Sequence, residues 1–519
     1  LMKVLTAQQM QAIDRRAIDE IGLPGVVLME NAGRRAAEEI VLRYAARGLQ
    51  RALVFAGKGN NGGDGYVIAR HLLDNDWDVL TLVLAKEEEV AGDAAVNLTA
   101  LANCGGQIIY LKNDDELYAV LDDAEEFSVV VDALFGTGLT KPLAGLYLEA
   151  IGWMNCQTCP VVAVDIPSGI DGSTGRIMGD AVNADLTVSF ALPKIGQVSF
   201  PGARHVGELV IADIGIPKQV IYEAAAECLL IDAGEAGRLL PRRSIDGHKG
   251  TFGHLLVLAG STGKCGAAVM AAEAGLRGGA GLVTLACPAN VQSGVAARLT
   301  EVMTVPLPDQ EGEVSLLALE PLRSLAEDKQ ALAVGPGLGV GKEVSSLVRQ
   351  WLQETRQPVV IDADGLNALA GNLSILDCQP GREIVLTPHP GEMSRLSGLT
   401  VADIQNDRFS VVREFAVRHK VTLVLKGART LIASPDGMVH VNTTGHAGMA
   451  SGGTGDVLTG LIGSLLAQGL PAMSAATLGV YLHGLAAERL RPKFGDAGLL
   501  ASDLIYELPA ARQALATEG

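Results

Sequence analysis

Short apolar runs that end in glycine or aspartate constrain the fold of this chain more than any other feature of its sequence. Segments in which apolar residues recur at helical spacing, such as 6–20 and 26–47, separate most of these runs. Strands that alternate with helices in this way form parallel sheets with helices on both faces, and ligands bind at the carboxyl ends of the strands. In the first half of the chain the predicted strands are 51–56, 79–84, 107–111, 129–132, 161–165, 186–190 and 209–213.

A glycine-rich segment follows the first of these strands. Residues 57–65 read G-K-G-N-N-G-G-D-G, and 66–73 has the pattern of a helix. A strand, a glycine-rich turn and a helix in this order leave backbone N–H groups free to bind phosphate. The asparagine and aspartate oxygens also suit a hard cation or sugar hydroxyls. A plain tight turn is the alternative, but five glycines in nine residues disfavour it.

Polar residues also follow two later strands of the predicted sheet. Asp132 precedes Phe135-Gly136-Thr137-Gly138-Leu139, and Asp165 precedes Ile166-Pro167-Ser168-Gly169. A single aspartate at a strand end is commonly a cap or turn residue. Because parallel strands end at one edge of a sheet, we expect these residues and Asn61 to converge on a ligand site.

The second half contains another glycine-rich segment, Gly448–Gly460, which reads G-M-A-S-G-G-T-G-D-V-L-T-G. The apolar residues from Val457 onward predict the start of a buried helix. Glycines that lead into such a helix form an anion site, where a carboxylate would repel the ligand. Asp456 is explained if it takes a proton from a hydroxyl that attacks a phosphate. The alternative is a helix N-cap, which needs fewer glycines.

Further strand ends in this half carry candidate ligands. His389 lies between two prolines, on a segment rigid enough to hold its ring for a ligand, although a structural histidine is the alternative. Lys426 follows a buried strand, where it could meet a phosphate or extend into solvent. Small residues after the strand at 254–259 would permit close approach of a ligand or of a neighbouring helix.

Charge and composition exclude several classes of partner. The net charge of −18 argues against a nucleic-acid surface. No apolar run reaches the ~18 residues of a membrane helix, and a signal-peptide core is absent from the N-terminal residues. Seven cysteines, with Cys156 and Cys159 as the C-x-x-C pair, indicate reduced thiols, a redox pair being the alternative. We expect a cytoplasmic homo-oligomer that binds small-molecule nucleotides but neither nucleic acid nor membranes.

Three motifs of the first half occur together, in the same order, in a known family. The segment 57–65, Asp132 with 135–138, and 164–169 resemble the NAD(P)H-hydrate epimerase family, the YjeF N-terminal domain. The resemblance implies acid–base work by Asp165 on a hydrated nicotinamide ring, and a potassium ion held by Asn61, Asp132 and Ser168. The dinucleotide would contact Asn60, Asn61, Gly62, Gly63, Asp64, Gly136, Thr137, Gly138, Leu139, Thr140, Lys141, Pro142 and Asp165.

The second half resembles a different family. Segments 362–367, 387–392 and 452–456 are similar to those of the ADP/ATP-dependent NAD(P)H-hydrate dehydratases of the ribokinase-like superfamily. The resemblance implies that the hydrated dinucleotide contacts Ala267, Gly337, His389 and Asp456. It implies that the adenine nucleotide contacts Lys426, Gly427, Ala428, Arg429, Thr430 and Gly455.

Together the resemblances imply two three-layer α/β domains, a Rossmann-like doubly wound domain at 1–218 and a ribokinase-like domain at 225–519. The implied function is repair of NADHX and NADPHX, the hydrated forms of NADH and NADPH. The first domain would interconvert the R and S hydrates. The second would dehydrate the S form through transient phosphorylation of its ring hydroxyl, with Mg²⁺ and ADP, or else ATP. The alternatives are a small-molecule kinase with an N-terminal nucleotide-binding regulatory domain, and a nucleotide sensor without catalysis.

Overall fold

Short strands that are largely buried form the centre of the first of two compact units, Lys3–Cys228. After β1 (Met2–Val4), the strands are β2 (Arg51–Ala56), β3 (Asp78–Val83), β4 (Gln107–Tyr110), β5 (Val129–Ala133), β6 (Val161–Val164), β7 (Leu186–Phe190) and β8 (Glu208–Ala212). They pair in parallel in the order β4-β3-β2-β5-β6-β7-β8. The order reverses between β2 and β5, which is where doubly wound sheets bind ligands.

Helices cover both faces of this sheet. Alternate residues of β2 point to opposite sides, so that Val54 lies in one apolar cluster and Phe55 in another. The first cluster contains residues of α1 to α4, and the second contains residues of α5 and α6. The helices are α1 (Ala7–Asp19), α2 (Gly25–Tyr44), α3 (Asn60–Asp74), α4 (Gly92–Asn103), α5 (Asp114–Asp122), α6 (Leu146–Asn155), α7 (Ile195–Val198) and α8 (Lys218–Glu223).

The second unit, which contains Leu229–Gly519, has a longer mixed sheet. Its strands are β9 (Cys228–Leu230), β10 (His254–Leu258), β11 (Leu282–Pro288), β12 (Met303–Leu307), β15 (Ala331–Val334), β16 (Val359–Ile361), β17 (Ile384–Leu386), β18 (Thr422–Leu425), β19 (Leu431–Ala433) and β20 (Val439–Val441). They lie in the order β9-β20-β19-β18-β17-β16-β15-β10-β11-β12. Strands β10–β12 and β15–β18 pair in parallel, whereas β18, β19 and β20 pair antiparallel. A separate hairpin consists of β13 (Asp309–Gln310) and β14 (Glu313–Val314).

Both faces of this sheet are also covered. Leu255 and Val257 of β10 face a cluster built by the helices α10, α19, α20 and α21, and Leu256 and Leu258 on the other face are equally buried. The helices are α9 (Ala233–Arg238), α10 (Cys265–Arg277), α11 (Ala289–Ala296), α12 (Leu319–Ala326), α13 (Lys342–Glu354), α14 (Ala363–Leu369), α15 (Ser374–Asp377), α16 (Pro390–Ser397), α17 (Val401–Asn406), α18 (Arg408–His419), α19 (Thr454–Ala467), α20 (Ala472–Phe494) and α21 (Ala501–Glu518).

This computed structural model describes residues 2–47, 50–122, 126–377 and 381–518, and confirms the predicted α/β class with two three-layer units. The domain limits 1–218 and 225–519 remain predictions from the sequence. None of the helices in the described ranges has the length and apolar character needed to span a membrane.

Close packing of α19 against α10 depends on a glycine. A Cβ at Gly460 would lie 2.0 Å from the carbonyl oxygen of Ala271. We therefore expect Gly460→Ala to destabilise the second unit by about 1–3 kcal/mol, as overpacked cores do. In Gly294→Ala the added methyl on α11 meets no atom within 4 Å, so that variant should be neutral or slightly more stable. Chemical denaturation measures both, and equal stability of Gly460→Ala and wild type would contradict this packing account.

Candidate active sites

A cavity of about 600 Å³ opens in the first unit, beside the point where the strand order reverses. The start of α3, the segment after β5 and the residue after β6 form its walls, and α1 contributes a further wall. Seven of the predicted dinucleotide ligands line it: Asn60, Asn61, Asp64, Gly136, Thr137, Gly138 and Asp165.

The remaining predicted dinucleotide ligands of this unit do not line the cavity. Gly62 and Gly63 are buried in the first turn of α3, and Leu139 packs beside an apolar cluster. Thr140, Lys141 and Pro142 are exposed. Contacts of these residues with a dinucleotide remain predictions.

Helix α3 begins at Asn60, six residues before the predicted start. The Gly63 N–H already donates to the Gly59 carbonyl at 3.0 Å, so the predicted loop residues form the first helical turn. The glycines here serve close packing, because a Cβ at Gly62 would lie 1.8 Å from the Gly57 carbonyl oxygen. The N–H groups of Asn60, Asn61 and Gly62 precede Gly63 and have no acceptors within the helix. Asn60 and Asn61 line the cavity, so this helix start can serve as an anion site.

Asp165 and Lys194 form a buried ion pair at this cavity. Asp165 follows β6 with φ of +63°, a left-handed conformation that is unfavourable for aspartate. The side chain of Lys194 is 1% exposed, and its ammonium also donates to Ser189 Oγ at 2.9 Å and to the Phe190 carbonyl at 3.1 Å. Gln197 Nε2 donates to the Asp165 carbonyl at 2.5 Å. These bonds hold the strained aspartate in one orientation.

The three predicted potassium ligands lie close to one another. Asp132 is fully buried and accepts hydrogen bonds from Ser168 Oγ at 2.6 Å and Ser168 N–H at 2.7 Å. A Cβ at Gly136 would lie 3.0 Å from Asn61 Oδ1, and the N–H of the preceding Phe135 donates to Ser168 Oγ at 2.9 Å. Burial raises the pKa of Asp132 to about 6, although the Ser168 bonds oppose this rise.

The charge of Asp165 influences the pKa values of two further carboxyl groups of the cavity, Asp14 and Asp64. Burial and then the charge of Asp165 raise the pKa of Asp14 to about 6. Burial, followed by Asp165 and Asp14, raises the pKa of Asp64 well above its usual range. Lys194 opposes both rises, but it already pairs with Asp165. The cavity therefore has three carboxyl groups that influence one another and one buried ammonium that is paired with Asp165.

In the second unit, Asp456 is the third residue of α19, which begins at Thr454, three residues before the expected start of the helix. Gly453 has φ of +93° and precedes the first turn, whose N–H groups have no acceptors within the helix. Burial and then the charge of Asp362 raise the pKa of Asp456 to about 7, while Lys426 lowers it. A carboxyl group with this pKa can accept and release a proton near neutral pH.

Lys426 is held beside this helix start by two carboxylates. Its ammonium donates to Asp362 Oδ1 at 2.7 Å and lies 3.7 Å from Glu392 Oε2. Thr459 Oγ1 donates to the other oxygen of Asp362 at 2.7 Å. Burial would lower the pKa of Lys426, but Asp362 and Glu392 outweigh it and the pKa is raised. A Cβ at Gly455 would lie 3.4 Å from the ammonium, so the cation faces the glycine segment.

His389 has a structural role that the sequence left as the alternative. It is the N-cap of α16, and its Nδ1 accepts hydrogen bonds from the N–H groups of Gly391 at 3.0 Å and Glu392 at 3.3 Å. Its Nε2 lies 3.4 Å from Glu392 Oε1, and the side chain is 51% exposed. The exposed part of the ring is free to contact a ligand, and this contact remains a prediction.

Ala267 and Gly337 lie side by side, as a shared ligand requires. Gly337 has φ of +63°, and a Cβ there would lie 3.1 Å from Ala267 Cβ. The Lys264 ammonium donates a hydrogen bond to Asp364 Oδ2 at 3.0 Å, and the N–H of Gly339 donates to the same oxygen at 2.8 Å. These bonds fix the segment after β15 against the start of α10.

The segment 426–430, which is predicted to contact the nucleotide, connects β18 to β19. Arg408 holds it in place through hydrogen bonds to its backbone. Arg408 is 2% exposed, and its guanidinium donates to the carbonyl oxygens of Leu425, Lys426 and Ala428. Thr430 Oγ1 donates to the Gly427 carbonyl at 2.9 Å. Gly427, Ala428 and Arg429 are exposed.

Sequence reasoning missed several residues of these sites. Lys194 lies in an otherwise apolar segment, and an isolated charge of that kind is a usable signal. Asp362 begins one of the segments that resemble the dehydratases, but the sequence analysis gave it no role. Asp14, Thr459 and Arg408 belong to ordinary helical patterns and gave no signal.

Comparisons with known proteins match both units. The NAD(P)H-hydrate dehydratase family model matches residues 255–510, and the YjeF-related protein N-terminus model matches residues 25–196. The bifunctional NAD(P)H-hydrate repair enzyme Nnr of Moorella thermoacetica is 44% identical over 98% of this chain and 96% of its own length. The bifunctional NAD(P)H-hydrate repair enzyme Nnr of Escherichia coli K12 is 36% identical over 95% of this chain and 91% of its own length. An ADP/ATP-dependent NAD(P)H-hydrate dehydratase from Bacillus subtilis, co-crystallised with ATP and Mg²⁺, is 33% identical over 55% of this chain and 97% of its own, with a TM-score of 0.49.

The raised pKa of Asp456 predicts a pH-dependent cost in stability. The folded pKa of about 7 exceeds the ordinary value of 3.8, so the unfavourable contribution is absent below pH 3.8 and complete above pH 7. Asp456→Asn should therefore stabilise the second unit by about 2–4 kcal/mol at pH 8 and by about 1–2 kcal/mol at pH 5.

Denaturant unfolding at the two pH values measures this difference. The control is Asp436→Asn. In the wild type, the Ser434 hydroxyl lowers the pKa of the Asp436 carboxyl, so its replacement should bring no gain in stability at either pH. A stability gain in Asp456→Asn that is independent of pH would contradict the electrostatic account.

Proposed function

The chain belongs to the family of bifunctional NAD(P)H-hydrate repair enzymes, and we propose on that basis how its two units divide the repair. Lys3–Cys228 interconverts the R and S hydrates of NADH and NADPH. The unit containing Leu229–Gly519 dehydrates the S hydrate in a nucleotide-dependent reaction. The match of a separate family model to each unit supports this division.

In the first unit, Asp165 is the acid–base residue of the epimerisation. The hydrated ring carries a hydroxyl on the carbon next to the ring nitrogen, so inversion of that carbon needs proton transfer and a cationic intermediate. Lys194, Ser189 and Gln197 position Asp165 through their hydrogen bonds. The free N–H groups at the start of α3 hold the dinucleotide phosphates.

In the second unit, Asp456 takes the proton of the ring hydroxyl, whose oxygen attacks the terminal phosphorus of the nucleotide. Hydroxide is a poor leaving group, whereas phosphate is a good one. The ring nitrogen lone pair then expels phosphate, and loss of a proton from the neighbouring ring carbon restores the reduced nicotinamide. The raised pKa of Asp456 beside the free N–H groups of α19 is the observation that carries this proposal.

Lys426 and the glycines before Asp456 stabilise the negative charge on the transferring phosphate. Asp362 and Thr459 keep the ammonium aimed at Gly455. The nucleotide contacts 426–430, and ADP is its proposed form. Mg²⁺ would reach the site on the nucleotide, with phosphate and water oxygens as most of its ligands.

A potassium ion in the first unit is a further proposal. The donors that lie together are a carboxylate, an amide oxygen and a hydroxyl, from Asp132, Asn61 and Ser168, and oxygen donors suit a hard cation. The buried charge of Asp132 needs a compensating cation, as its raised pKa indicates. The Nδ2 of Asn61 has no partner among the described residues, and its oxygen is the end nearer Gly136.

The proposed location is the cytoplasm. Cys156 and Cys159 are free thiols, as are Cys104, Cys265 and Cys287. Free thiols are the usual state in a reducing compartment. The homo-oligomer expected from the sequence stays a prediction.

The dehydration proposal predicts that Asp456→Asn lowers turnover of the S hydrate with ADP by about 10²–10⁴-fold, the usual effect of removing a general base. Affinity for ADP should change only a few fold, because the backbone N–H groups and Lys426 remain. Release of free phosphate and recovery of the near-ultraviolet absorbance of the reduced ring measure turnover. Calorimetric titration measures the affinity.

The matched control is Asp403→Asn, which removes a carboxyl at the same third position of a helix, α17, and should leave turnover unchanged. A stable phosphorylated product with no recovery of reduced nicotinamide would instead identify a small-molecule kinase. Unchanged turnover in Asp456→Asn would exclude the assigned base.

The cation proposal predicts that KCl stabilises the first unit more than NaCl at pH 7.5. At a concentration 100 times the dissociation constant, the gain would be about 2.7 kcal/mol. Below pH 6, where Asp132 is protonated, the difference should shrink, and in Asp132→Asn it should disappear. Thermal unfolding with matched ionic strength measures it. Equal stabilisation by both salts at pH 7.5 would rule out a selective potassium site.

A further inference from the structure

Helix α1 contributes a wall of the epimerase cavity that the functional assignments leave unused. Met10, Gln11, Asp14 and Ile18 line the cavity from one face of this helix. Gln11 Nε2 donates to the carbonyl of Thr137 at 3.1 Å, which ties α1 to the predicted dinucleotide segment. Asp14 lies one turn after Gln11, so its carboxyl faces the same space as Asp165 and Lys194.

No role in capping or stabilising α1 accounts for an aspartate at position 14. It lies in the middle of Ala7–Asp19, where aspartate is an unfavourable helix residue. Thr6 and Gln9 cap the helix. Within the described ranges, the Asp14 side chain makes no hydrogen bond or ion pair. A half-buried carboxyl without a partner in a ligand cavity is available for chemistry.

The charges around Asp14 favour a pair of carboxyl groups with different tasks. Asp165 is paired with the Lys194 ammonium and is the carboxylate of the two. Asp14 lacks such a partner, and its pKa, raised by burial and by Asp165, keeps a substantial fraction protonated near pH 6. The other charged residues that line the cavity are Arg15, Lys58, Asp64 and Asp93.

We propose that Asp14 is a second catalytic residue of the epimerisation, which protonates the departing ring hydroxyl while Asp165 deprotonates the water that adds to the opposite face. This inference rests on the proposed function of the first unit. Two proton-transferring groups suit inversion of a carbon, because the old and the new hydroxyl occupy opposite faces of the ring.

The proposed step balances without an oxidant or a reductant. The ring C–O bond breaks, its electron pair stays on oxygen, and the Asp14 proton completes a water molecule. The ring nitrogen lone pair forms a C=N bond, which leaves the ring cationic. A water oxygen then forms the new C–O bond on the other face and gives its proton to Asp165. Transfer of one proton from Asp165 to Asp14 through solvent resets the site.

The carboxyl groups that line the cavity suit the cationic ring intermediate. Lys194 neutralises Asp165, and Asp14 becomes a carboxylate when it gives up its proton, so its negative charge stabilises the cation formed beside it. Burial, and after it the charge of Asp165, raises the pKa of both Asp14 and Asp64, so a cation in the cavity would favour their charged forms.

The test compares Asp14→Asn with wild type in the full chain, supplied with the R hydrate. We expect the maximal epimerisation rate to fall about 10²-fold or more, as for other general acids. The Michaelis constant should change less than about threefold, and dehydration of the S hydrate should keep its wild-type rate. In wild type, the contribution of the acid falls as pH rises through about 6, and this limb should be missing in Asp14→Asn and restored in Asp14→Glu.

The control is Asp19→Asn, which removes an exposed carboxyl at the far end of the same helix and should behave as wild type. Spontaneous epimerisation is subtracted at each pH. A wild-type rate in Asp14→Asn, or a raised Michaelis constant with an unchanged pH profile, would overturn the inference. Absence of epimerisation in wild type would instead refute the proposed function of the first unit.

Discussion

A buried lysine paired with an aspartate at the end of a central strand is the interaction on which both sites depend. Lys194 pairs with Asp165 after β6, and Lys426 pairs with Asp362 after β16. Each pair lies where parallel strands end and backbone groups point outward. Buried pairs gain little net stability, and loss of one partner typically costs about 3–5 kcal/mol. Each pair instead holds a charged side chain in one position. That position is close to a second carboxyl group that gains or loses a proton, Asp14 in the first unit and Asp456 in the second.

The remaining carboxyl groups at each site are destabilised by the same burial. Burial, and after it the charge of a neighbouring aspartate, raises the pKa values of Asp456 in one unit and of Asp14 and Asp64 in the other. The fold tolerates this cost because the surrounding elements are tightly packed, with glycines at the contacts. Proton transfer near neutral pH then needs only a small change in free energy.

The sequence predicted the architecture well because the strands are apolar and are bounded by glycine or aspartate. The seven strands of the first sheet were all identified within one residue. The starts of α3 and α19 were placed too late, since glycine indicates a loop and these glycines instead permit close contact at Asn60–Gly63 and Gly453–Gly455. Thr459 and Arg408 bond residues that lie far away in the sequence, so no local pattern indicated them, whereas Lys194 was recognisable as an isolated charge in an apolar segment.

Transfer of the ring hydroxyl oxygen to phosphate is the central claim for the second unit. The most direct test uses the S hydrate labelled with oxygen-18 in its ring hydroxyl, in a single turnover with ADP in unlabelled water. The mechanism through Asp456 predicts one oxygen-18 atom in the released inorganic phosphate, detected by mass spectrometry. Label recovered only in water, with unlabelled phosphate, would show that the hydroxyl leaves without phosphorylation and would contradict the account.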